Sequence, residues 1–581
     1  MVEPGLGQSR GDAGDGAFLL MPPPVTQFPF KLLSQPGIKR DGTLYEGRNY
    51  TDGLWCRFQR GKPRKMGGYK ASTSKLTGIS RGLNVYSANM VTYVHNGWYG
   101  GIEVVQLDVN GIATGDPVAR TPVGFVSDAN NSWSLTAMYN SAGTNTAIIG
   151  VATPILGDLA STSRQNIWYG DILGSSPLTQ LTGTDVPTGT AGGVCFVPPY
   201  LFVYDAFGYV TWSAPNTPTN FSTAQGGGGP NGGRISASKV IFGMVSRGGA
   251  SNSPAVLFWT LDSVVRGNFV GGTAIFAFDT VSSDTSILSP NIVIEYDGVY
   301  YWAGLDRFLM YNGVVQELPN DMNLNWFFDG MNWPYHEKSF AFKTPRFGEI
   351  GFAYPRYPNT ECSHAAIFNV REKTWYDTEL PNGGRSAATF SQHNRFPLMA
   401  GVESVRAGSA QAFQGATGSG GSGAFQGSTS TSSEAFQMDG FLNQYRLWQH
   451  EIGTDEVVGS SVTAIRSYFD TSNWSLMDDS MQVAAPMDKQ LTIDRIEPDF
   501  NLTKALTITP IGRAYAMSPD ITNRSYVFDP AEFDADNFET FVKYVREQRR
   551  QMRLRFESNA VGGFYEMGNT MGLLGIGDGH T

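Results

Sequence analysis

Cysteine and charge are both scarce in this sequence of 581 residues. The three cysteines are far apart, odd in number and in no CxxC pattern, which argues against a disulfide framework and favours synthesis in a reducing compartment. Only 16% of residues are charged and the formal net charge is −10, so bulk charge does not indicate a protein that grips nucleic-acid phosphates. The cysteines are Cys56, Cys195 and Cys362.

Long apolar segments are also missing. No apolar run approaches the roughly 20 residues that a helix needs to cross a bilayer. The first residues, MVEPGLGQSRGDAGDGAF, carry acids and glycines where a signal peptide would have a basic segment and an apolar core. We therefore expect a soluble protein without a membrane span, synthesised in a cytoplasm.

Recognisable catalytic and metal-binding motifs are absent from the sequence. The six histidines form neither HExxH nor HxH, and there is no GxSxG, no GxxxxGK[ST] and no GxGxxG after a strand. The glycine-rich stretch GGGGPNGG at 226–233 lacks the lysine and helix of a phosphate-binding loop and is predicted to be an ordinary loop. The sequence predicts a protein that is not an enzyme and holds no metal or cofactor.

A glycosidase or depolymerase is the enzymatic alternative, because two carboxylates about 5 to 10 Å apart would suffice for that chemistry. Each candidate lies at a predicted strand end or turn, where aspartate is favoured for turn geometry alone. The sequence also lacks a repeated Ser-x-Asp-x-Gly-x-Thr-Trp box, so a structural role is the preferred interpretation. The candidates are Asp205, Asp262, Asp297 and Asp306.

Glycine and aromatic residues are abundant, with 69 glycines and 13% Phe, Trp and Tyr. The stretch 291–319, NIVIEYDGVYYWAGLDRFLMYNGVVQELP, has four apolar runs separated by short turns. Asp-Gly and Asn-Gly suit two-residue hairpins, so the stretch predicts a four-stranded antiparallel meander, the size of one β-propeller blade, with Tyr301 and Leu309 inside. The predicted turn and core residues of the blades are Asp297, Gly298, Trp302, Gly304, Asp306, Asn312, Gly313 and Trp375.

The strand-turn pattern continues from about 80 to 400 and indicates six or seven degenerate blades of 40 to 50 residues. The predicted fold class is all-β: a β-propeller with an appended second β-domain and long loops. Three AFQ triplets lie in a Gly/Ser-rich segment that is predicted to be an exposed loop. The predicted divisions are a flexible arm 1–25, a propeller 26–405 with a short helical excursion near 321–341, the AFQ loop 406–440, a β-rich domain 441–570 and a flexible tail 571–581.

Basic residues are concentrated in two places, 55–70 and 546–555. The first is either a hairpin with a solvated basic turn or a contact with DNA or an acidic neighbour. By contrast, residues 121–230 hold five acids and one base, Arg164. Candidates for contacts with a neighbouring protein subunit (joint contacts) or with DNA are Arg57, Arg60, Lys62, Arg64, Lys65, Arg553 and Arg555. The five acids of residues 121–230 are Asp128, Asp158, Asp171, Asp185 and Asp205.

Seven loose motifs follow one another over about residues 50 to 560. They are GLWCRFQRGKPRKMGGY, YVTWSAPNTPTNFS, VLFWTLDSVVRGNF with residues 276–319, AAIFNVREKTWYDT, YRLWQHEIG, IDRIEPDF and RRQMRLRFESN. In this order they resemble the tail nozzle and packaged-DNA stabilisation proteins of short-tailed bacteriophages. The AFQ loop and the Gly/Pro-rich leader depart from that family pattern.

The resemblance implies a virion tail component without catalytic residues. It implies a ring, commonly of six copies, that continues the channel below the portal and adaptor, meets tail fibre or spike proteins, and passes double-stranded DNA without sequence specificity. For such a ring, the charge layout leads us to expect a net negative lumen, with basic residues at joints. A carbohydrate-binding or depolymerase tail protein and a cytoplasmic propeller scaffold are the alternatives.

Overall fold

A computed structural model describes most of the chain. The residues it describes are 27–32, 34–43, 48–129, 131–139, 146–154, 166–188, 192–247, 253–390, 395–403, 445–474, 489–515, 517–534 and 536–577. The predicted arm 1–25 and the AFQ loop 406–440 lie outside these ranges. The described residues are nearly all β, as predicted, with 54% of residues in strands and 5% in helices. Within the described ranges, no helix has the length and apolar character to span a membrane.

Six consecutive segments each form a four-stranded antiparallel meander, which we number sheets 1 to 6. Short turns connect most successive strands, and this explains why sequential neighbours pair. Sheet 1 is Ser80–Ala88, Val91–Trp98, Gly101–Leu107 and Val118–Ala119; sheet 2 is Asn131–Tyr139, Thr146–Pro154, Trp168–Asp171 and Thr179–Gln180; sheet 3 is Gly193–Val197, Tyr200–Tyr204, Tyr209–Trp212 and Gly233–Arg234. Sheet 4 is Val240–Val245, Ala255–Thr260, Val264–Gly271 and Ile275–Ser282; sheet 5 is Ile294–Tyr296, Val299–Ala303, Phe308–Tyr311 and Val315–Glu317; sheet 6 is Phe340–Thr344, Glu349–Tyr354, His364–Asn369 and Thr374–Glu379.

Sheet 7 combines distant parts of the chain. Tyr69–Ala71 pairs antiparallel with Tyr445–His450 on one side and parallel with Asp455–Val458 on the other. The strands of sheet 7, in spatial order, are Arg385–Thr389, Leu398–Val402, Tyr445–His450, Tyr69–Ala71, Asp455–Val458 and Ser461–Ala464. Its first strand contacts the first strand of sheet 1, so the last sheet of the series touches the first.

The remaining strands join the two ends of the chain, and we call them the terminal unit. Gln27–Lys31 pairs with Met571–Gly577, in a sheet completed by Gln490–Glu497 and Lys543–Arg549. A second sheet is Asp52–Leu54, Ser467–Asp470, Gln551–Ser558, Leu506–Arg513 and Tyr526–Phe528; a third is Phe500–Leu502, Tyr565–Met567, Lys62–Lys65 and Cys56–Gln59; a parallel pair is Gln35–Ile38 and Asn49–Tyr50.

The observed pairing differs from the predicted division in three respects. Residues 27–65, predicted to begin the propeller, pair with strands beyond 467. Residues 445–464, predicted to begin the second domain, belong to sheet 7. Residues 571–577, predicted to be flexible, form a strand. The physical reason is that these pairings join residues hundreds of positions apart, whereas turn signals report only sequential neighbours.

Helices are few in the described residues. The predicted helical excursion near 321–341 contains the α-helix Leu324–Asp329 and the 3-10 helix Trp333–Lys338. Other 3-10 turns are Thr223–Gln225, Pro381–Gly383, Pro530–Glu532 and Phe538–Phe541.

Sheet 5 contains the hairpin turns singled out in the sequence. Asp297 and Gly298 both have positive φ, 51° and 79°, as a type I′ turn requires. The second loop has three residues, 312–314, between the paired Tyr311 and Val315, rather than the two predicted for Asn-Gly. Gly313 has φ 116°, and both turns are exposed. Tyr301 and Leu309 are buried, the first in sheet register with Met310 and the second with Trp302. Local turn chemistry and the alternation of apolar residues account for this meander.

Replacing Gly313 with valine should lower the free energy of unfolding by about 1–3 kcal/mol, because a β-branched residue is strained at this φ. A Cβ at Gly313 would meet no atom within 4 Å, so the effect would be conformational rather than steric crowding. Urea unfolding measures it. Exposed Val314→Ala is the control, expected to stay within about 0.5 kcal/mol of the unchanged chain. Equal unfolding curves for both variants would contradict the prediction.

Candidate functional site

The first strands of all seven sheets line one cavity of about 550 Å³, which we call the axial cavity. This volume lies in the range of small-molecule binding sites. Each first strand supplies a wall residue. First strands lie beside one another between neighbouring sheets, except between sheets 4 and 5, which pack through Trp259 and Trp302. Examples from sheets 1 to 7 are Gly82, Ser134, Cys195, Met244, Ile294, Ala341 and Ala387.

Glycines let neighbouring sheets approach closely around this cavity. A Cβ added to Gly82 would lie 2.3 Å from the carbonyl oxygen of Trp133, and one added to Gly243 would lie 2.8 Å from the Phe258 ring. Distances below 3 Å cannot be accommodated without movement of the neighbour. These small residues therefore fix the spacing between sheets 1 and 2 and between the strands of sheet 4.

One end of the axial cavity holds Lys239, His336 and Glu337, and we call it the Lys239 end. Lys239 precedes the first strand of sheet 4, while His336 and Glu337 belong to the 3-10 helix that precedes sheet 6. Burial lowers the pKa of Lys239, and the charge of Glu337 opposes that shift. Burial raises the pKa of Glu337, opposed by His336 and Lys239. The described residues show no salt bridge between the lysine and the glutamate.

The other end holds Arg247, Glu295 and Lys343, and we call it the Lys343 end. Lys343 Nζ donates to the Glu295 carbonyl oxygen at 2.7 Å, and Arg247 Nη1 lies 3.8 Å from Glu295 Oε2. Burial opposes ionisation of Glu295, but the Gly298 N–H and the two cations outweigh it and lower its pKa. Lys239 and Arg247 flank one strand, so the two ends are about 26 Å apart at 3.3 Å per residue.

The four candidate carboxylates occupy turns. Asp205 Oδ1 accepts from the N–H groups of Phe207 at 2.8 Å and Tyr209 at 2.9 Å. Such local hydrogen bonds are the usual reason for aspartate at a turn.

Asp262 accepts from the hydroxyls of Ser238 at 2.7 Å and Thr260 at 2.9 Å. Asp306 is exposed, with its carboxylate 3.7 Å from the Arg307 guanidinium, and Asp297 occupies the sheet 5 hairpin turn. Each of these aspartates therefore has a structural role in its own turn or in an adjacent one.

The aromatic residues predicted for the blade cores are buried. Trp302 Nε1 donates to the Ser286 carbonyl at 3.0 Å, and its ring packs edge-on against Trp259 of sheet 4. Trp375 Nε1 donates to the Pro319 carbonyl at 2.8 Å. Gly304 is buried, and a Cβ there would lie 2.8 Å from the Ser286 hydroxyl. Asn312 is exposed at the second hairpin turn.

Arg57, predicted as a joint or DNA contact, is instead buried within the chain. Its guanidinium is 2% exposed and donates to Glu451 at 2.7 and 2.5 Å and to Glu349 at 3.1 Å. Phe347 lies beneath it, 3.8 Å from ring centroid to guanidinium carbon, and the Tyr376 hydroxyl donates to Glu349 at 2.5 Å. Arg57 thus joins the terminal unit to sheets 6 and 7 and cannot reach an external phosphate.

Three more predicted contact residues also serve internal contacts. Lys65 Nζ is buried and donates to the Gly563 carbonyl at 2.8 Å. Arg553 and Arg555 share Asp470, a fully buried carboxylate, with the Nε of Arg555 at 2.6 Å and that of Arg553 at 3.2 Å.

The ion pairs continue outward from Asp470. Arg553 also binds Asp520, and Arg555 binds Asp52. Arg40 pairs with Asp52 and with Asp377 of sheet 6, which carries the network from the terminal unit to the sheets.

An exposed basic patch remains at the same junction. Arg60, 78% exposed, pairs with Glu566, and Arg64 lies over the Phe347 ring at 5.6 Å. Arg346 lies over the same ring at 5.1 Å. We define the basic patch as Arg60, Arg64, Arg346, Arg371 and Lys373; Lys62 is half-buried on the same hairpin. Sequence reasoning missed Arg346, Arg371 and Lys373 as contact residues, because only the turns of sheet 6 bring them to the hairpin.

The predicted acidic lumen concerns a ring that a single chain does not contain, so it stays a prediction. Asp128, Asp171, Asp185 and Asp205 fall in the described residues, whereas Asp158 and Arg164 lie outside them. Among the described residues, no group of three or more His, Cys, Asp or Glu side chains is arranged to hold a metal ion.

Comparison with known proteins gives no family assignment. No family model and no curated protein matches the chain. Among solved structures, the computationally designed Ika8 protein matches with 12% identity, covering 57% of this chain and 96% of that chain, at a TM-score of 0.29. A candidate 6-phosphogluconolactonase from Bacteroides uniformis matches with 12% identity over 52% and 87%, at 0.34. The CNH domain of AfRom2 matches with 10% identity over 46% and 79%, at 0.29. These TM-scores are too low to support an argument about function.

Proposed function

We propose that sheets 1 to 7 form a closed seven-bladed β-propeller and that the terminal unit is its appended β-domain. Closure is supported by contacts between the first strands of neighbouring sheets, including that of sheet 7 with sheet 1. Sheets 4 and 5 are the exception and pack through Trp259 and Trp302. Tyr69–Ala71 enters sheet 7 from before sheet 1, and a strand shared in this way holds the first and last blades of a ring together.

We further propose that the chain is a structural component of a bacteriophage tail. In this role it is a nozzle ring that extends the portal and adaptor channel, retains packaged DNA and lets it pass during ejection. The proposal starts from the ordered motifs, which predict such a protein and no catalytic residues. In such a ring, the basic patch and the net negative charge of the rest of the chain would have separate roles.

The junction between the propeller and the terminal unit is the observation that carries this proposal. The first motif of the resemblance contains Arg57, and the last contains Arg553 and Arg555. Both motifs belong to the terminal unit. Arg57 pairs directly with Glu349 of sheet 6 and with Glu451, which follows a strand of sheet 7. Arg555 is connected to Asp377 of sheet 6 through Asp52 and Arg40. An apolar core spans the same junction, where the rings of Phe58 and Tyr376 lie 5.6 Å apart. A wall that withstands DNA pressure needs two units fixed in this way.

The charges outside the junction suggest how such a wall would treat DNA. The basic patch can meet either a neighbouring copy or phosphates, because four of its five cationic side chains are exposed and Arg64 is half-buried. The chain as a whole is acidic, with a net charge of −10, and a net negative lumen would repel DNA over only about 8 Å at physiological salt. Repulsion of that range centres a duplex without closing the channel.

The test is the assembly state of the purified full chain. We expect closed rings in negative-stain images and a sedimenting species of six times the 63.2 kDa chain mass. The variant R346E/K373E reverses two charges of the basic patch that form no ion pair with described residues. If the basic patch forms the contact between neighbouring copies, this variant should no longer form rings.

K75E/K504E is the matched control, since both lysines are exposed and show no ion pair in the described ranges. If both variants still form rings, the contact between neighbouring copies lies elsewhere on the chain. The basic patch then remains a candidate contact for DNA. Monomers of the unchanged chain at every protein and salt concentration would contradict the nozzle proposal and favour the scaffold alternative.

A further inference from the structure

We propose that the Lys239 end of the axial cavity is a binding site for a neutral saccharide. The inference rests on the geometry of one chain and does not depend on ring formation. It assigns a ligand class to residues that neither the motifs nor the nozzle proposal uses.

Unused hydrogen-bonding capacity at this end is the first observation. Lys239 Nζ has no acceptor, and the Glu337 carboxylate has no donor, within hydrogen-bond distance in the part of the chain that the structure describes. Each is nevertheless close enough to influence the ionisation of the other. The gap between a half-buried ammonium and a half-buried carboxylate suits a group that accepts from the first and donates to the second.

The hydrogen bond of His336 defines a second acceptor. Its Nδ1 lies 2.6 Å from the Trp333 carbonyl oxygen, and since a carbonyl can only accept, Nδ1 carries the hydrogen. In the neutral ring, Nε2 is therefore an acceptor. The Lys239 end thus offers one strong donor beside two acceptors, all lining the same cavity.

The surrounding charge selects against an anion. The two oppositely charged side chains that line this end, Lys239 and Glu337, balance each other. A phosphate or carboxylate bound to Lys239 would meet the like charge of Glu337. Hydroxyl groups donate and accept without charge, so a polyhydroxyl ligand fits this mixture best.

Exposed apolar side chains lie at this end and beside it. Leu261, 52% exposed, and Leu305, 46% exposed, line the cavity. Trp333, 40% exposed, lies outside the lining, next to His336. The Trp333 ring lies 5.7 Å from the His336 ring, because residues three apart share one face of a 3-10 helix. Apolar surface beside convergent polar groups is the usual composition of a small-molecule site, and the C–H faces of a sugar ring pack well on such side chains.

Saturation-transfer NMR on the full chain tests the inference with maltose, lactose and N,N′-diacetylchitobiose, each at about 5 mM to detect millimolar dissociation constants. We expect transfer to at least one of them. K239M and E337Q should each weaken that binding at least tenfold, the effect of losing one charge-assisted hydrogen bond. K504M, at an exposed lysine remote in sequence from the cavity, should bind as the unchanged chain does.

Urea unfolding of K239M and E337Q shows whether they fold, which is expected because neither change breaks an ion pair that the structure describes. Transfer to none of the three sugars overturns the inference, as does binding that both folded variants retain. Binding of glucose 6-phosphate without any neutral sugar would identify an anion site and also overturn it. Sedimentation of the same samples reports ring formation separately, so failure of one proposal is distinguishable from failure of the other.

Discussion

Arg57→Met should lower the free energy of unfolding by about 3–5 kcal/mol, because it leaves the carboxylates of Glu349 and Glu451 buried without their cation. Both glutamates bind the guanidinium directly, and Glu349 is itself 2% exposed. Burial already raises the pKa of Glu349 against the opposing charge of Arg57, so loss of that charge would drive the group towards its neutral form. Guanidinium chloride unfolding at pH 7 measures the effect.

Arg60→Met is the matched control, since Arg60 lies three residues away in the same hairpin and is largely exposed. Its ion pair with Glu566 should contribute no more than about 1 kcal/mol. A triple variant, R57M/E349Q/E451Q, removes the buried charges together and should recover part of the loss. Equal unfolding midpoints for R57M and R60M would show that the junction does not depend on Arg57.

Local features of the fold were predictable from the sequence, and the partners of the strands were not. Asp297-Gly298 and Asn312-Gly313 reveal their turns because positive φ is needed at Asp297, Gly298 and Gly313, whatever the rest of the chain does. The pairing of Tyr69–Ala71 with Tyr445–His450 has no such local cause. This pairing forms only when sheet 7 meets sheet 1, and that contact depends on the arrangement of all the sheets.

The role of the basic hairpin shows the same limit. Alternation in residues 55–65 correctly indicates a hairpin, but it does not reveal which arginines point inward to distant acids. Glu349 is 292 positions from Arg57, and Glu451 is 394 positions away. Charge read along the sequence therefore predicted an external contact where the chain makes an internal one. Of the basic residues on that hairpin, Arg60, Lys62 and Arg64 remain at least partly accessible, whereas Arg57 and Lys65 are buried.

The Lys239 end was missed for a related reason. Lys239 and Glu337 are separated by nearly a hundred residues, and each looks like an ordinary surface residue in its own segment. They line one cavity because the first strands of sheets 4 and 6 face it. A motif search detects spacing along a strand or helix, whereas this arrangement arises from packing between sheets.

Acid should destabilise the chain steeply below about pH 6.5 through two buried histidines. His95 Nε2 lies 2.9 Å from Arg120 Nη1, and His450 Nε2 accepts from Arg385 Nε at 3.1 Å. Burial, assisted by the charge of Arg120, lowers the pKa of His95 to about 3. Burial and Arg385 lower the pKa of His450 well below its ordinary value.

The direction follows from which state binds the proton. Below about pH 6.5 the unfolded histidines become charged while the folded ones stay neutral, so the stability present at neutral pH is lost as pH falls. The slope is half its limiting value at pH 6.5 and approaches about 1.4 kcal/mol per pH unit for each histidine at lower pH, or about 2.7 for both. The expected loss between pH 6.5 and 5 is therefore about 3 kcal/mol. Urea unfolding at pH 7, 6 and 5 measures it.

His95→Gln and His450→Gln isolate this effect, because a glutamine oxygen can accept from the same arginine and does not titrate. Each change should reduce the slope by about 1.4 kcal/mol per pH unit, and the double variant by about 2.7, whatever the acidic residues contribute to both. A double variant with the slope of the unchanged chain would refute the assignment. Since His95 lies in sheet 1 and His450 in sheet 7, the first and last sheets of the series, acid should weaken the contact that closes the array before it affects sheets 3 to 5.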